Sequence, residues 1–298
     1  MHDCLIIGAG PAGLSAATCL ARFRRDVACL EAGPSRAELI PVSHNLAGWP
    51  DGIAGAELLR RLRAQAARHG VVPRRAKVER LQQIDGGFEA IAGGGIVRAA
   101  RVVLATGIID QHPDFPGMRQ ATLDGLVRWC PICDGYEVLD QDVALLGPPR
   151  LALFHALFLR TYTRSLALLA LPDRDGLAGG EIAQLEAAGI ELIPEAAINA
   201  RPGEGGGIEI EFATGTRRRF DTLYPMQGCN VQAELARSLG AACDSDGGLV
   251  VDADLCTSVP GLHAIGDVVN VINQIDVAFG HAAIAATAVH RSLPRNFR

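Results

Sequence analysis

The stretch Trp129-Cys130-Pro131-Ile132-Cys133-Asp134-Gly135-Tyr136 sets two thiols around two intervening residues and puts a carboxyl group directly after the second thiol. That spacing lets the sulfurs reach bonding distance, and a helix beginning there would favour a thiolate through its positive N-terminal end. The chemistry such a set supports is dithiol/disulfide exchange, with Asp134 carrying protons. Half of a zinc site and a pair of packed thiols are the competing readings. Zinc requires four ligands, and no second CxxC or paired-histidine motif completes the set. A redox role is therefore the reading of Cys130, Cys133 and Asp134.

A second constellation opens the chain. Cys4 to Ile7 reads as a short buried strand, Gly8-Ala9-Gly10-Pro11-Ala12-Gly13 as a glycine turn, and Leu14 to Arg22 as a helix. In a strand, turn and helix of this kind the first glycine makes the tight turn and the second lets backbone amides approach a pyrophosphate. The third lets the helix pack close to the sheet. Val27 to Leu30 is the next strand, and Glu31 at its end is placed to accept hydrogen bonds from a ribose. Strand, glycines, helix and acid in register predict dinucleotide binding.

Positioning these groups takes the rest of a 298-residue chain that is 49% hydrophobic, enough for a large core divided into two domains. A net charge of -5 with scattered arginines excludes polybasic attraction to nucleic acid or anionic membrane. The chain shows neither a positively charged leader nor an apolar run able to span a bilayer, so a cytoplasmic location is expected. Cys4, Cys19, Cys29, Cys229, Cys243 and Cys256 show no pairing spacing and read as buried small hydrophobes.

Ser35 to Gly52 reads as a long loop, and Gly55 to Gly70 as an amphipathic helix whose Arg60, Arg61 and Arg63 form a solvated face. Val71 to Arg80, Phe88 to Ile91 and Ile96 to Leu104 are strands of a small antiparallel layer, closed by the small-residue turn Ala105-Thr106-Gly107. The chain crosses into a second domain across Ile108 to Asp124 and returns near Pro225-Met226. Within it, Val143 to Leu146, Leu151 to Tyr162 and Leu166 to Leu171 form a second βαβ unit. Its glycine turn is damaged: Gly147 remains, but Pro149 replaces the middle glycine and has no amide for a phosphate. Leu171-Pro172-Asp173-Arg174-Asp175 brings no arginine cluster for a 2′-phosphate. Glu181 to Gly189 is expected as a helix, and Glu191 to Asn199, Ile208 to Phe212 and Thr222 to Tyr224 as strands. Gly248 to Val251 and Leu255 to Thr257 are read as further short strands. A buried strand then ends in Gly266-Asp267, and the final helix runs Val277 to His290 behind Asn273-Gln274-Ile275.

Taken together, these motifs resemble the low-molecular-weight thioredoxin reductases, two-domain flavoprotein disulfide reductases, nearly end to end. The resemblance rests on Gly8-x-Gly10-Pro11-Ala12-Gly13, Glu31, the Asn45 to Pro50 loop, Ala105-Thr106-Gly107, Cys130-x-x-Cys133-Asp134-Gly135 and Gly266-Asp267. It implies an α/β fold of two Rossmann-like three-layer (ββα) nucleotide-binding domains, the second inserted in the first. Residues 1–112 and 226–298 would form the FAD domain, and residues 113–225 a degenerate NAD(P)H-type domain carrying the cysteines. Gly8, Gly10, Pro11, Ala12, Gly13, Glu31, Asn45, Ala105, Thr106, Gly107, Gly266, Asp267, Gln274 and Ile275 would hold FAD. Cys133 would exchange electrons with the flavin, Cys130 would attack the partner disulfide, and Asp134 would serve as acid and base. A homodimer is implied as well.

The sequence departs from the family in its second glycine motif, its missing phosphate clamp, Asn273 in place of arginine, and His281 in place of a small residue. His281 is either a packed core histidine or a group approaching the flavin or dithiol. These departures make the chain similar to a branch that works without pyridine nucleotide. Two directions of electron flow follow: from a ferredoxin or flavin donor to a thioredoxin-like disulfide, or from a small dithiol through FAD to oxygen. A conventional NADPH-dependent reductase with an altered loop and a redox sensor that no longer turns over are the remaining alternatives.

Overall fold

The computed structural model describes residues 1–169, 177, 179–269 and 272–297, with the side chains of Pro149 and Arg150 outside that set. It begins with β1 (His2–Ile7), α1 (Pro11–Arg22) and β2 (Val27–Glu31). Pro11 suits the first helical position because its missing amide hydrogen would have no partner there. After α2 (Gly55–Arg68) come β3 (Arg74–Arg75), β4 (Val78–Ile84), β5 (Gly87–Ala92) and β6 (Gly95–Leu104). The predicted strand Val71 to Arg80 is thus two separate strands, one in each half of the sheet. β6 joins those halves. Its first residues pair antiparallel with β5, and from Ala99 onward it pairs parallel with β1.

Alternating residues of β1 face different layers. Cys4 and Ile6 pack towards α1, whereas Leu5 and Ile7 pack towards the β4–β6 meander, so the strand is buried on both sides. That arrangement explains why it reads as an uninterrupted apolar run rather than an alternating one.

The chain leaves this unit along β7 (Ile108–Asp110) and continues through α3 (Met118–Leu123) and the one-turn α4 (Pro131–Asp134). β8 (Asp142–Leu146), α5 (Pro149–Leu159), β9 (Ser165–Leu169), α6 (Gly179–Ala187) and β10 (Glu191–Ile193) follow. Next are β11 (Ala197–Pro202), β12 (Ile208–Phe212), β13 (Arg217–Phe220) and β14 (Thr222–Pro225). The four parallel strands run in the order β10-β9-β8-β14, and β11-β12-β13 form an antiparallel sheet. Val143 and Leu145 pack with Ala152, Ala156 and Leu159 of α5, while Ala144 and Leu146 pack with Ile208, Ile210 and Phe212 of β12. Helices, parallel sheet and antiparallel sheet therefore stack as the same three layers in both units. The segment predicted as one strand over Glu191 to Asn199 is split between the parallel sheet and the antiparallel layer. The end of the Leu166 to Leu171 strand, and the Leu171 to Asp175 stretch, lie outside the described residues.

The return strand β15 (Cys229–Val231) pairs antiparallel with β7, Cys229 opposite Asp110 and Val231 opposite Ile108. The short α7 (Glu234–Arg237) precedes β16 (Leu262–Ala264), which pairs parallel with the end of β6. Gly248 to Val251 and Leu255 to Thr257 are not strands as expected. They contribute isolated bridges, such as Leu249 with Val269 and Cys256 with His263, because no neighbouring edge runs alongside them for longer. The last helix, α8 (Ile275–Ser292), lays Ala282, Ala285, Ala286 and Val289 into the cluster that holds Leu14, Ala16, Ala17 and Leu20 of α1. Among the described residues no helix is long and apolar enough to cross a membrane.

Leu104, fully buried at the end of β6, lies on the strand that joins the halves of the first sheet, opposite Ile7 and Ala264. Leu104→Ala is expected to cost about 2–5 kcal/mol, read as a drop in the urea midpoint with the slope unchanged.

Candidate active site

The first glycine turn is fixed by backbone bonds to both neighbouring strands: Gly8 N donates to Leu30 O (2.8 Å), and Ala105 N donates to Ile7 O (2.8 Å). Gly8 has φ +112°, and a Cβ there would overlap the Ala105 carbonyl. A Cβ on Gly13 would overlap the carbonyl of Gly8, so the third glycine is what allows α1 to sit against the turn. On the far side, Thr106 Oγ1 donates to Gln232 O (2.6 Å), which fastens the Ala105-Thr106-Gly107 turn to the returning chain.

A cavity of 860 Å3 starts at this cradle. Gly8, Gly10, Pro11, Ala12, Glu31, Asn45, Ala105, Thr106, Gly107, Gly266, Asp267, Gln274 and Ile275 all line it, with Gly266 against Ala12 and Gln274 bonded to Asn45. Cys130, Cys133 and Asp134 line the same cavity. Gly13 alone of the predicted residues stands behind the wall, under Gly8. A dinucleotide is a long ligand with charged and polar groups along it, and a cavity of this volume belongs to the range that encloses such molecules. The glycine cradle, the carboxylates Glu31 and Asp267, and the start of α8 fit an FAD molecule.

One expectation about charged groups needs correction, at Arg63, and the two alternatives left open for His281 are separated. Arg63 does not belong to a solvated face: its guanidinium grips both oxygens of Glu31 (2.7 and 3.1 Å), while Arg60 and Arg61 pair with Glu57. Glu31 retains lone pairs for a ribose, since a carboxylate offers more acceptor sites than Arg63 uses. His281 does not line the cavity. Its Nδ1 accepts a hydrogen bond from Gly266 N (3.3 Å), and burial lowers its pKa, so it supports the Gly266-Asp267 turn from behind as a neutral ring.

Cys130 and Cys133 form a disulfide with Cα atoms 5.2 Å apart. Cys130 caps α4, and Cys133 N donates to Cys130 O (2.9 Å), which folds the motif into a single turn. Gln274 Nε2 lies 3.1 Å from Cys133 Sγ and 3.7 Å from Cys130 Sγ. Its carbonyl accepts from Asn45 Nδ2 (2.8 Å), and Asn45 Oδ1 accepts from Ser43 Oγ (2.9 Å). Two residues selected as cofactor ligands thus form an amide chain that ends on the sulfur pair. The other six cysteines are free. Burial pushes the Cys29 thiol up to about 12, which keeps it protonated and inert, and the Cys4 thiol higher still. Cys19, Cys229, Cys243 and Cys256 are only half-buried, less enclosed than expected.

Asp134 holds two donors. Tyr224 OH donates to Oδ1 (2.7 Å) and Arg128 Nη1 to Oδ2 (3.2 Å). Burial raises its pKa, with Arg128 and Tyr224 pulling the other way. Arg36 grips Asp110 through two bonds (2.6 and 2.9 Å) and reaches within 3.5 Å of Asp267. Burial raises the Asp267 pKa, and Arg36 opposes this. Sequence reasoning missed Arg128, Tyr224, Arg36 and Asp110. Arg128 stands two places before Cys130 and offered a local signal; Tyr224 lies in an apolar strand and offered none.

Comparison with known proteins gives a consistent result. The profile of the pyridine nucleotide-disulphide oxidoreductase family matches residues 2–282. The thioredoxin reductase of Mycolicibacterium smegmatis is 29% identical over 306 residues, 98% of this chain and 97% of that protein. Among solved structures, HlmI matches with TM-score 0.89 at 29% identity, over 97% of this chain and 92% of that one. The thioredoxin reductase from Streptococcus pyogenes MGAS5005 matches with TM-score 0.90 at 27% identity, over 98% of this chain and 97% of that one.

Gly13→Ala is expected to push α1 off the turn and cost about 1–3 kcal/mol, measured as a lowered urea midpoint. Gly33→Ala, where a Cβ meets nothing within 4 Å, is the control that leaves it unchanged.

Proposed function

We propose that this chain, which belongs to the pyridine nucleotide-disulphide oxidoreductase family, is an FAD-dependent thiol–disulfide oxidoreductase of the thioredoxin reductase type that works without NADPH. The observation that carries the proposal is the single cavity whose wall holds both the glycine cradle and the Cys130–Cys133 disulfide. In this reading, residues 1–112 and 226–298 form the flavin domain and residues 113–225 the inserted domain, with the β7–β15 ladder at the crossing.

Gly8, Gly10 and Gly13 with Pro11 and Ala12 would seat the pyrophosphate, Glu31 a ribose, and Asp267 with Gly266 the polyol chain. Asn45, Gln274, Ile275 and the Ala105 to Gly107 turn would bound the ring. Bound FAD would supply the electron pair that opens the Cys130–Cys133 disulfide, drawn from a ferredoxin or a second flavin. The nearer approach of Gln274 to Cys133 than to Cys130 supports Cys133 as the sulfur that communicates with the flavin.

Cys130 as thiolate then attacks a thioredoxin-like disulfide. The Cys130–partner bond forms while the partner's own S–S bond breaks, and the leaving sulfur takes a proton from Asp134. Cys133 next attacks Cys130 Sγ, which restores the internal disulfide and releases the partner as a dithiol. The reverse course, in which a small dithiol reduces the pair and oxygen accepts the electrons, uses the same residues.

Independence from NADPH is supported by the second glycine turn. Gly147 keeps its place, where a Cβ would overlap the Met226 carbonyl, but the helix then begins with Pro149, which has no amide hydrogen to offer a phosphate.

Anaerobic addition of NADPH is expected to leave the visible flavin absorbance unchanged, while a dithiol bleaches it. Rapid bleaching by micromolar NADPH contradicts the proposal, and recovery of colour on admitting oxygen assigns the oxidase direction. Cys133→Ser should end dithiol bleaching, and Cys130→Ser should keep FAD bound while blocking exchange with the partner.

A further inference from the structure

We propose that Arg128 and Tyr224 are positioning residues that hold the Asp134 carboxylate from outside the cysteine turn and thereby set the pH range in which it trades protons with the Cys130–Cys133 pair. The proposal rests on the roles given to those cysteines and to Asp134 above.

The geometry singles out these two side chains. Both oxygens of Asp134 are engaged, one by each donor, and the donors stand on adjoining backbone: Val127 bridges Leu223 in parallel, and Arg128 N donates to Leu223 O (3.0 Å). Leu223 and Tyr224 belong to β14, which is hydrogen-bonded along its length to β8. The anchor is therefore part of a sheet, whereas Asp134 ends a one-turn helix that carries the exchanging sulfurs. When the disulfide opens and closes, the turn can adjust while the two donors keep the carboxylate aimed.

The charges facing Asp134 come from three elements. Arg128 attracts its negative form, the Tyr224 hydroxyl donates to it, and Glu137, on the following turn, repels it. Glu137 Oε2 and Arg128 Nε are buried with no hydrogen-bond partner, so neither group is neutralised by a closer neighbour at those atoms. Tyr224 is fully buried, and burial, followed by the Asp134 charge, pushes its own pKa up. It consequently stays protonated throughout the working range and acts as a donor, never as a proton carrier. Of the hydrogen-bonded pair Tyr224 and Asp134, it is therefore Asp134 that can carry a proton. Arg128 is the cation facing it, and it limits how far burial can raise it.

The sign of the effect follows. Loss of the Arg128 charge removes an attraction felt only by the carboxylate, so the protonated form gains and the midpoint moves to higher pH. The test is an infrared pH titration of the holoenzyme, following the protonated-carboxyl band that disappears in Asp134→Asn, alongside the pH profile of disulfide exchange. Arg128→Met should raise both midpoints by about one pH unit or more. Tyr224→Phe should raise them by less, and Arg128→Lys should return them close to wild type. Unmoved midpoints in Arg128→Met and Tyr224→Phe overturn the inference. A shift in exchange without a shift in the Asp134 band also overturns it. If Arg128→Met does not fold, Tyr224→Phe against Arg128→Lys decides by the same criteria. A wild-type protein that binds no flavin or performs no exchange defeats the functional reading itself, and that result is separate from an unmoved midpoint in an active enzyme.

Discussion

One guanidinium ties together the three segments from which the cavity is built. Arg36 begins the short helical turn that follows β2, clamps Asp110 on the strand that leaves the first unit, and reaches towards Asp267 at the tip of the last buried strand. Burial disfavours its charge, yet the hydrogen bonds and negative charge of Asp110 outweigh that cost and hold it protonated. Removing ions from water absorbs most of the gain from pairing them, so this fork contributes little net stability. It contributes position. A bidentate pair has a fixed plane and direction, and here it fixes where the crossing strand passes the cavity.

That crossing is the constraint on which the chemistry depends. The sulfur pair lies on the chain beyond β7, after it has left the sheet that carries the glycine turn, yet it must reach the same cavity wall. The β7–β15 ladder carries the chain out and back side by side, and Gln111 N continues the pairing by donating to Gly228 O (2.9 Å). Two covalent connections with paired backbones resist twisting better than one. The amide chain from Ser43 through Asn45 and Gln274 then meets the sulfurs across the gap.

Within the same molecule, some sulfurs are enclosed in the core and two open onto the cavity. Cys4 and Cys29 are sealed in the first sheet, where a thiolate would lose its hydration without compensation. Cys130 and Cys133 open onto the cavity at a helix start, beside a hydrogen-bond donor and next to a carboxyl group held by two more. The same residue type therefore serves as packing in one place and forms a disulfide on the cavity wall in another.

The sequence was sufficient for the local features. Gly8 and Gly13 encode their turn because each requirement, a positive φ or a missing Cβ, is set by neighbours a few residues away or on the adjoining strand. The CxxC spacing likewise encodes a closable pair, and the apolar runs of β1, β8 and β9 encode doubly covered parallel strands. What it left open involves partners far apart in the chain. The split of Glu191 to Asn199 between two sheets, the pairing of Arg63 with Glu31, and the placement of His281 behind Gly266 depend on which surfaces the fold brings together. Tyr224 is the clearest case: ninety residues of chain separate it from Asp134, and within its strand it is one more large apolar side chain. Only the parallel alignment of β14 with β8, and the bridge from Val127 to Leu223, turn its hydroxyl onto the carboxylate. Local chemistry is written in spacing; the environment that tunes that chemistry is written in contacts that exist only once the sheets have assembled.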